Sequence, residues 1–161
     1  MSKSENLAAS LSSLAPDALG GAEYQALGEF RRAIREFLAF SEAGARAHGL
    51  TSQQHQALLA IKCHPGPDPI SIGELAVSLL IKNHSAVGLV DRLVERDLIS
   101  RRPFEGDRRR VALSLRPRGE EILAAISRRN LAQLSRAADI MTSIAETARR
   151  IAPAGGQEAA S

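Results

Sequence analysis

The chain has 161 residues, with Lys+Arg 21 against Asp+Glu 18 and a single cysteine, Cys63: enough length to bury one core, and no means of stapling it with an internal disulfide. No apolar run is long enough for a membrane span or a signal-peptide core, so a cytoplasmic protein with no membrane partner is expected. One tyrosine and no tryptophan leave little material for stacking single-stranded bases, and the positive charge is local: Arg101 to Arg118 holds seven arginines against Glu105 and Asp107, while the rest of the chain is net acidic. A field confined to one element implies a polyanion meeting that element, and double-stranded DNA suits it better than a single strand.

In chain order, residues 1–21 are Ser/Ala/Leu with Pro16 and a Gly20-Gly21 pair and read as a flexible tail, as do residues 152–161. Between them the helical period dominates. Leu27, Phe30, Ile34, Phe37 and Phe40 mark one face of a first helix, closed by Gly49 in the left-handed conformation. Thr51-Ser-Gln-Gln54 has capping-box spacing and opens a second helix that runs through Leu58, Leu59 and Ile61 to the breakers of HPGPDP. Ser71-Ile-Gly-Glu74 repeats that signature, and the third helix carries Ile72, Leu75, Ala76, Leu79 and Leu80 on one face before stopping near Ile81-Lys82-Asn83. A fourth helix follows at once over Asn83 to Arg96, with Ala86, Leu89, Val90, Leu93 and Val94 inward and His84, Ser85, Gly88, Asp91, Arg92 and Glu95 outward.

Two short amphipathic helices joined by a tight turn predict a helix-turn-helix, whose second helix lies in a major groove; Lys82, Asn83, His84, Ser85 and Arg92 are the expected DNA contacts. The period then changes to two. Val111, Leu113 and Leu115 alternate with Arg110, Ala112 and Ser114, and Leu98 to Arg101 can pair with them across Phe104-Glu105-Gly106-Asp107, so the arginines sit on a hairpin wing at 98–115. Arg101, Arg102, Arg108 and Arg110 are expected on phosphates. From Pro117 the chain is helical to Ile151, with a seam of Leu131, Leu134, Ala138, Met141, Ala145 and Ala148 at 3,4 spacing. Residues 22–49 and 117–151 therefore read as dimerisation helices, with Phe30, Ile34, Phe37, Leu131, Leu134 and Met141 at the seam, around a DNA-binding core at 51–115; the alternative is an intramolecular bundle.

The stretches LTSQQHQALLAI (50–61), SIGELAVSLLI (71–81), LVDRLVERDLISR (89–101) and DRRRVALSLRPRG (107–119) resemble the MarR-type winged helix-turn-helix regulators, and the order of elements agrees from Phe30 to Met141. The resemblance implies a mainly α fold with a small β wing and flanking dimerisation helices. It further implies a homodimer on a near-palindromic operator, controlled by a small phenolic or lipophilic ligand, an oxidant or, less commonly, a metal. In the family a wing aspartate holds an arginine two residues on for the minor groove; Asp107 and Arg109 occupy those places. The chain departs from the pattern at Val87 and Gly88, where a serine and an arginine are common, at Asp97 for a helix-ending glycine, and at Arg116 for a threonine.

No phosphate-cradling glycine loop, G-x-S-x-G or H-E-x-x-H occurs, so neither catalysis nor a cofactor is expected. Cys63-His64 lacks the ligand spacing of a closed metal site, and no metal site is assigned. For Cys63 a buried structural thiol is the default and an oxidant sensor the alternative. Against the regulator stands a second reading, a winged helix used as a protein-interaction scaffold.

Overall fold

The computed structural model describes residues 20–66, 68–104, 107–136 and 138–151, with the backbone alone at 107–109, 136, 139, 140, 148, 150 and 151. Both expected tails lie outside the described residues, apart from Gly20 and Gly21. The elements are α1 (Gly21–Ala47), α2 (Ser52–Lys62), α3 (Ile72–Ser78), α4 (Asn83–Glu95), β1 (Ile99–Phe104), β2 (Asp107–Leu115), α5 (Pro117–Arg136) and α6 (Ala138–Ile151). Residues 35–136 form one compact unit; α1 up to Ile34, together with α6, belongs to another. The fold is mainly helical with one small antiparallel sheet.

Both predicted capping boxes are present. Thr51 Oγ1 accepts from the Gln54 N–H at 3.1 Å while Gln54 Oε1 accepts from the Thr51 N–H at 3.0 Å, and Ser71 with Glu74 repeats the pair at 3.2 and 2.7 Å. Hydrogen bonds from the Ser71 hydroxyl and then its N–H, assisted by Arg110 and His64, hold the Glu74 carboxyl below the usual range. Leu58, Leu75, Leu89, Leu93, Leu98, Leu113 and Ile126 fill the core of residues 35–136, each worth roughly 1.5–3 kcal/mol of burial.

Three helices end in one way. After α1, α3 and α4 a residue takes the left-handed conformation: Gly49 at φ 70°, Leu80 at 54° and Asp97 at 59°. In each case its N–H returns three residues and the next N–H returns five: Gly49 to Arg46 and Leu50 to Ala45, Leu80 to Val77 and Ile81 to Ala76, Asp97 to Val94 and Leu98 to Leu93. This is the Schellman arrangement, which satisfies two orphan carbonyls and folds the following apolar residue back on the helix it leaves. Leu50 and Leu98 are buried, and Ile81 packs partly buried against the core. Leu80 is a correction. The periodicity puts it on the buried face of α3, but α3 stops at Ser78, and Leu80 is 93% exposed as the left-handed residue of the turn. Leu59 is exposed on α2.

In the wing, β1 pairs antiparallel with β2 from Ile99 opposite Leu115 to Pro103 opposite Val111, with a register shift before Phe104 opposite Asp107. Leu113 is buried as the alternation requires. Ala112, expected outward, is buried as well, because Ser71 bridges to it and the Leu113 N–H donates to Ile70 O at 2.9 Å, giving β2 a neighbour on its second edge. The two unusual residues at the ends of the wing answer each other: Arg116 Nε lies 2.9 Å from Asp97 Oδ1, and the Arg116 N–H donates to Leu98 O. Gly119 packs so closely on Leu98 that a Cβ there would overlap its carbonyl, which fixes the start of α5.

Two predictions follow from these packing details. Leu80→Gly should raise stability by about 0.5–1 kcal/mol, the left-handed penalty less glycine's entropy; a fall in the urea midpoint would mean that the exposed side chain packs after all. His55 is 5% exposed, and its Nε2 makes no hydrogen bond among the described residues. Burial pushes its pKa below the ordinary histidine value. The unfolded chain then takes up the proton first as pH falls, so this contribution to stability is complete above about pH 6.5 and is lost below it, by at most about 1.4 kcal/mol per pH unit. Urea unfolding of wild type and His55→Leu between pH 7.5 and 5.5 should show that slope in wild type and a flatter one in the variant.

Candidate nucleic-acid interface

The α3–α4 pair is a helix-turn-helix whose turn is the Leu80 left-handed end. Lys82 is the N-cap of α4 and supplies no side-chain acceptor, and no acid lies in the first turn. The positive end of the helix dipole is thus left uncompensated by the side chains of its own first turn, with a lysine beside it. Asn83, His84 and Ser85 of that turn are exposed, as are Val87 and Arg92 further along. Ala86, Leu89, Val90 and Leu93 hold the opposite face in the core.

The wing stands beside this helix and two of its arginines are already engaged. Arg101 Nη1 donates to Asp91 Oδ1 at 2.6 Å, tying β1 to the outer face of α4. Arg110 lies 4.2 Å over the Phe104 ring, with Nη2 3.7 Å from Glu74 Oε2 on α3. Both pairs are exposed, so each contributes little to stability; their effect is to orient two guanidinium groups. Arg102 is exposed on β1. Asp107, Arg108 and Arg109 stand at the start of β2, and the expected Asp107–Arg109 pairing concerns side chains outside the described set. Asp91 and Glu74 were legible as acids on outward or capping positions, but their arginine partners become neighbours only through the tertiary fold. A third arginine, Arg96, donates to Gly49 O at 2.8 Å and to Gln54 Oε1 at 3.3 Å, joining the end of α4 to the α1–α2 junction.

Among the expected dimerisation residues, Phe30 and Phe37 are half-buried on α1 and Ile34 is exposed; Leu131 and Leu134 of α5 and Met141 of α6 are exposed, Leu131 at 64%. The last part of α1 meets α5 through Arg129 over the Phe40 ring at 4.5 Å and Asn130 on Ser41 at 2.9 Å. Cys63 is a further correction: the expected buried thiol is exposed, because it is the C-cap residue of α2, past the last buried position at Ile61. It borders a groove of about 500 Å³ walled by Ala60, Pro65, Ile70 and Val77, with His64 and Glu74 also lining it. Among the described residues no three His, Cys, Asp or Glu side chains gather as a metal site, and no helix is long and apolar enough to cross a membrane.

Residues 48–110 match the MarR family profile. The chain is 32% identical over 96 residues to the HTH-type transcriptional repressor NicR of Pseudomonas putida, a match covering 60% of this chain and 59% of that protein. A solved MarR family transcription regulator superposes with a TM-score of 0.63 at 28% identity, covering 79% of this chain and 82% of that one. A variant of Staphylococcus aureus MepR bound to an oligodeoxyribonucleotide gives 0.57 at 19% identity, covering 71% and 79%, a likeness of fold. With the helix-turn-helix, the wing and the intervening LVDRLVERDLISR segment all in place, the fold is the winged helix-turn-helix of MarR family structures, and the MarR family match spans residues 48–110.

Proposed function

We propose that this regulator is a homodimeric repressor that binds a near-palindromic DNA operator and is released from it by a small phenolic or lipophilic ligand. The observation that carries the reading is the pairing of two cationic features: the open N-terminus of α4, with Lys82 and exposed His84 and Ser85, and a wing whose Arg101 and Arg110 are steadied by acids of the same helix-turn-helix. A recognition helix reads bases while a basic wing meets phosphates, so the two supply specificity and affinity separately. Repression is favoured by the likeness to NicR, named a repressor. The exposed Leu131, Leu134 and Met141 supply apolar surface for a second copy, and a dimer presents two recognition helices to half-sites about 10 base pairs apart. The apolar groove beside Cys63 and His64 supports the ligand part of the reading. Its exposed thiol favours one second reading, release by an oxidant acting at Cys63.

Selection of bound sequences from a random duplex pool, followed by a screen of phenols and peroxide for release, tests the whole reading; a protein that enriches no inverted repeat is a scaffold. On the selected operator, Arg102→Ala should weaken specific and random DNA alike and lower the salt slope by about one. Arg109→Ala should instead cost the operator on the order of 1–3 kcal/mol, and Asp107→Ala should imitate it although it raises the positive charge. Tighter binding by Asp107→Ala would make the wing a bulk charge patch. Leu131→Glu with Leu134→Glu should sediment as a monomer and lose full-operator affinity; a persisting dimer would remove α5 from the interface.

A further inference from the structure

The outer surface of α4 carries a patch at 84, 87, 88 and 91, positions three and four apart and therefore adjacent on the helix. Its chemistry is unlike that of a helix reading guanines with arginine or lysine. Val87 is 38% exposed, a branched apolar side chain with no place in the core. Next to it Gly88 has no side chain at all; a Cβ added there would meet only Arg92 Nη1, at 3.8 Å, so nothing inside the protein requires a glycine. Asp91, which could otherwise accept from a cytosine amino group, is held at 2.6 Å by Arg101. The middle of the patch is thus apolar and low, one turn from an exposed His84.

We propose that Val87 reads a thymine by packing on its C5-methyl, and that Gly88 leaves the space for α4 to settle at that depth in the groove. The inference rests on the DNA-binding reading above and goes beyond it by assigning one base identity to one side chain. In the major groove only thymine presents a methyl, and an apolar side chain is the chemistry that recognises it. Histidine or asparagine at the helix start can hydrogen-bond to neighbouring base edges, but Val87 can favour a base only through this contact.

The test uses the full chain and its selected operator, with each thymine replaced in turn by deoxyuridine, which removes the methyl and keeps the pairing. One thymine in each half-site should lose affinity about fourfold on replacement, the burial of one methyl group. Val87→Ala, which loses both Cγ methyl groups, should discriminate less between the two DNAs, while Val87→Thr, which keeps one, should retain more of the preference. Gly88→Ala should fold at least as stably as wild type, by helix propensity, and bind the operator at least tenfold more weakly. Deoxyuridine without effect at every thymine, or an effect undiminished in Val87→Ala, overturns the assignment while leaving operator binding intact. Failure of wild type to select any sequence overturns the assignment together with the reading beneath it. Unchanged operator affinity in Gly88→Ala overturns the close approach.

Discussion

The geometry of the helix-turn-helix and wing depends on how their helices stop. At Gly49, Leu80 and Asp97 the chain turns left-handed, and the residue that follows is apolar and returns to the body of the domain. The hydrogen bonds of each end set the angle at which the chain leaves, and the burial of Leu50, Ile81 and Leu98 keeps it there. The end at Leu80 sets α4 against α3. The end at Asp97 starts the wing, and the buried Leu98 offers its carbonyl both to the Arg116 N–H and to the close approach of Gly119. The wing and α5 are therefore positioned from one short segment, 97–98, and α4 from the Leu80 end.

Electrostatics acts on top of that frame. Exposed ion pairs such as Arg101–Asp91 add little to folding stability, since water screens them and two side chains must be ordered. Ordering is nonetheless useful on a binding surface: a guanidinium already held loses less freedom on meeting its target. The same pairing offsets the charge of Asp91, which on the proposed DNA-binding reading would otherwise face a polyanion from the outer face of α4. Arg116 and Asp97, each unusual alone, form an exposed pair that links the two ends of the wing.

What the sequence disclosed depended on the range of each interaction. Both capping boxes were legible because donor and acceptor lie three residues apart, and Gly49 and Asp97 because their residue types tolerate positive φ. Leu80 was not. Leucine is rarely left-handed, and it falls in step with Ile72, Leu75, Ala76 and Leu79, so a pattern of apolar positions extends α3 past its true end. Ala112 was misread for a different reason: its burial comes from a bridge to Ser71, forty-one residues earlier, which strand alternation cannot express. The arginine partners Asp91 and Glu74 share that difficulty, and the exposure of Cys63 turned on whether α2 ended one residue before or after it. The LVDRLVERDLISR resemblance pointed to the same family as the match over residues 48–110, where periodicity alone would have stopped at a helix-turn-helix with a hairpin.

The distribution of charge bears on what such a surface can discriminate. Most of the arginine-rich segment is on the wing, and the patch at 84, 87, 88 and 91 carries one carboxylate, already paired. Phosphate contacts are long-ranged, salt-dependent and indifferent to sequence, whereas a contact between methyl groups is short-ranged, uncharged and absent for three of the four bases. Arginines within that patch as well would add affinity everywhere along a duplex and so lower the contrast between operator and bulk DNA. With phosphate attraction supplied by the wing and by Lys82 and Arg92 outside the patch, raised salt should weaken specific and nonspecific binding alike, while the proposed Val87 contact would be left largely unscreened.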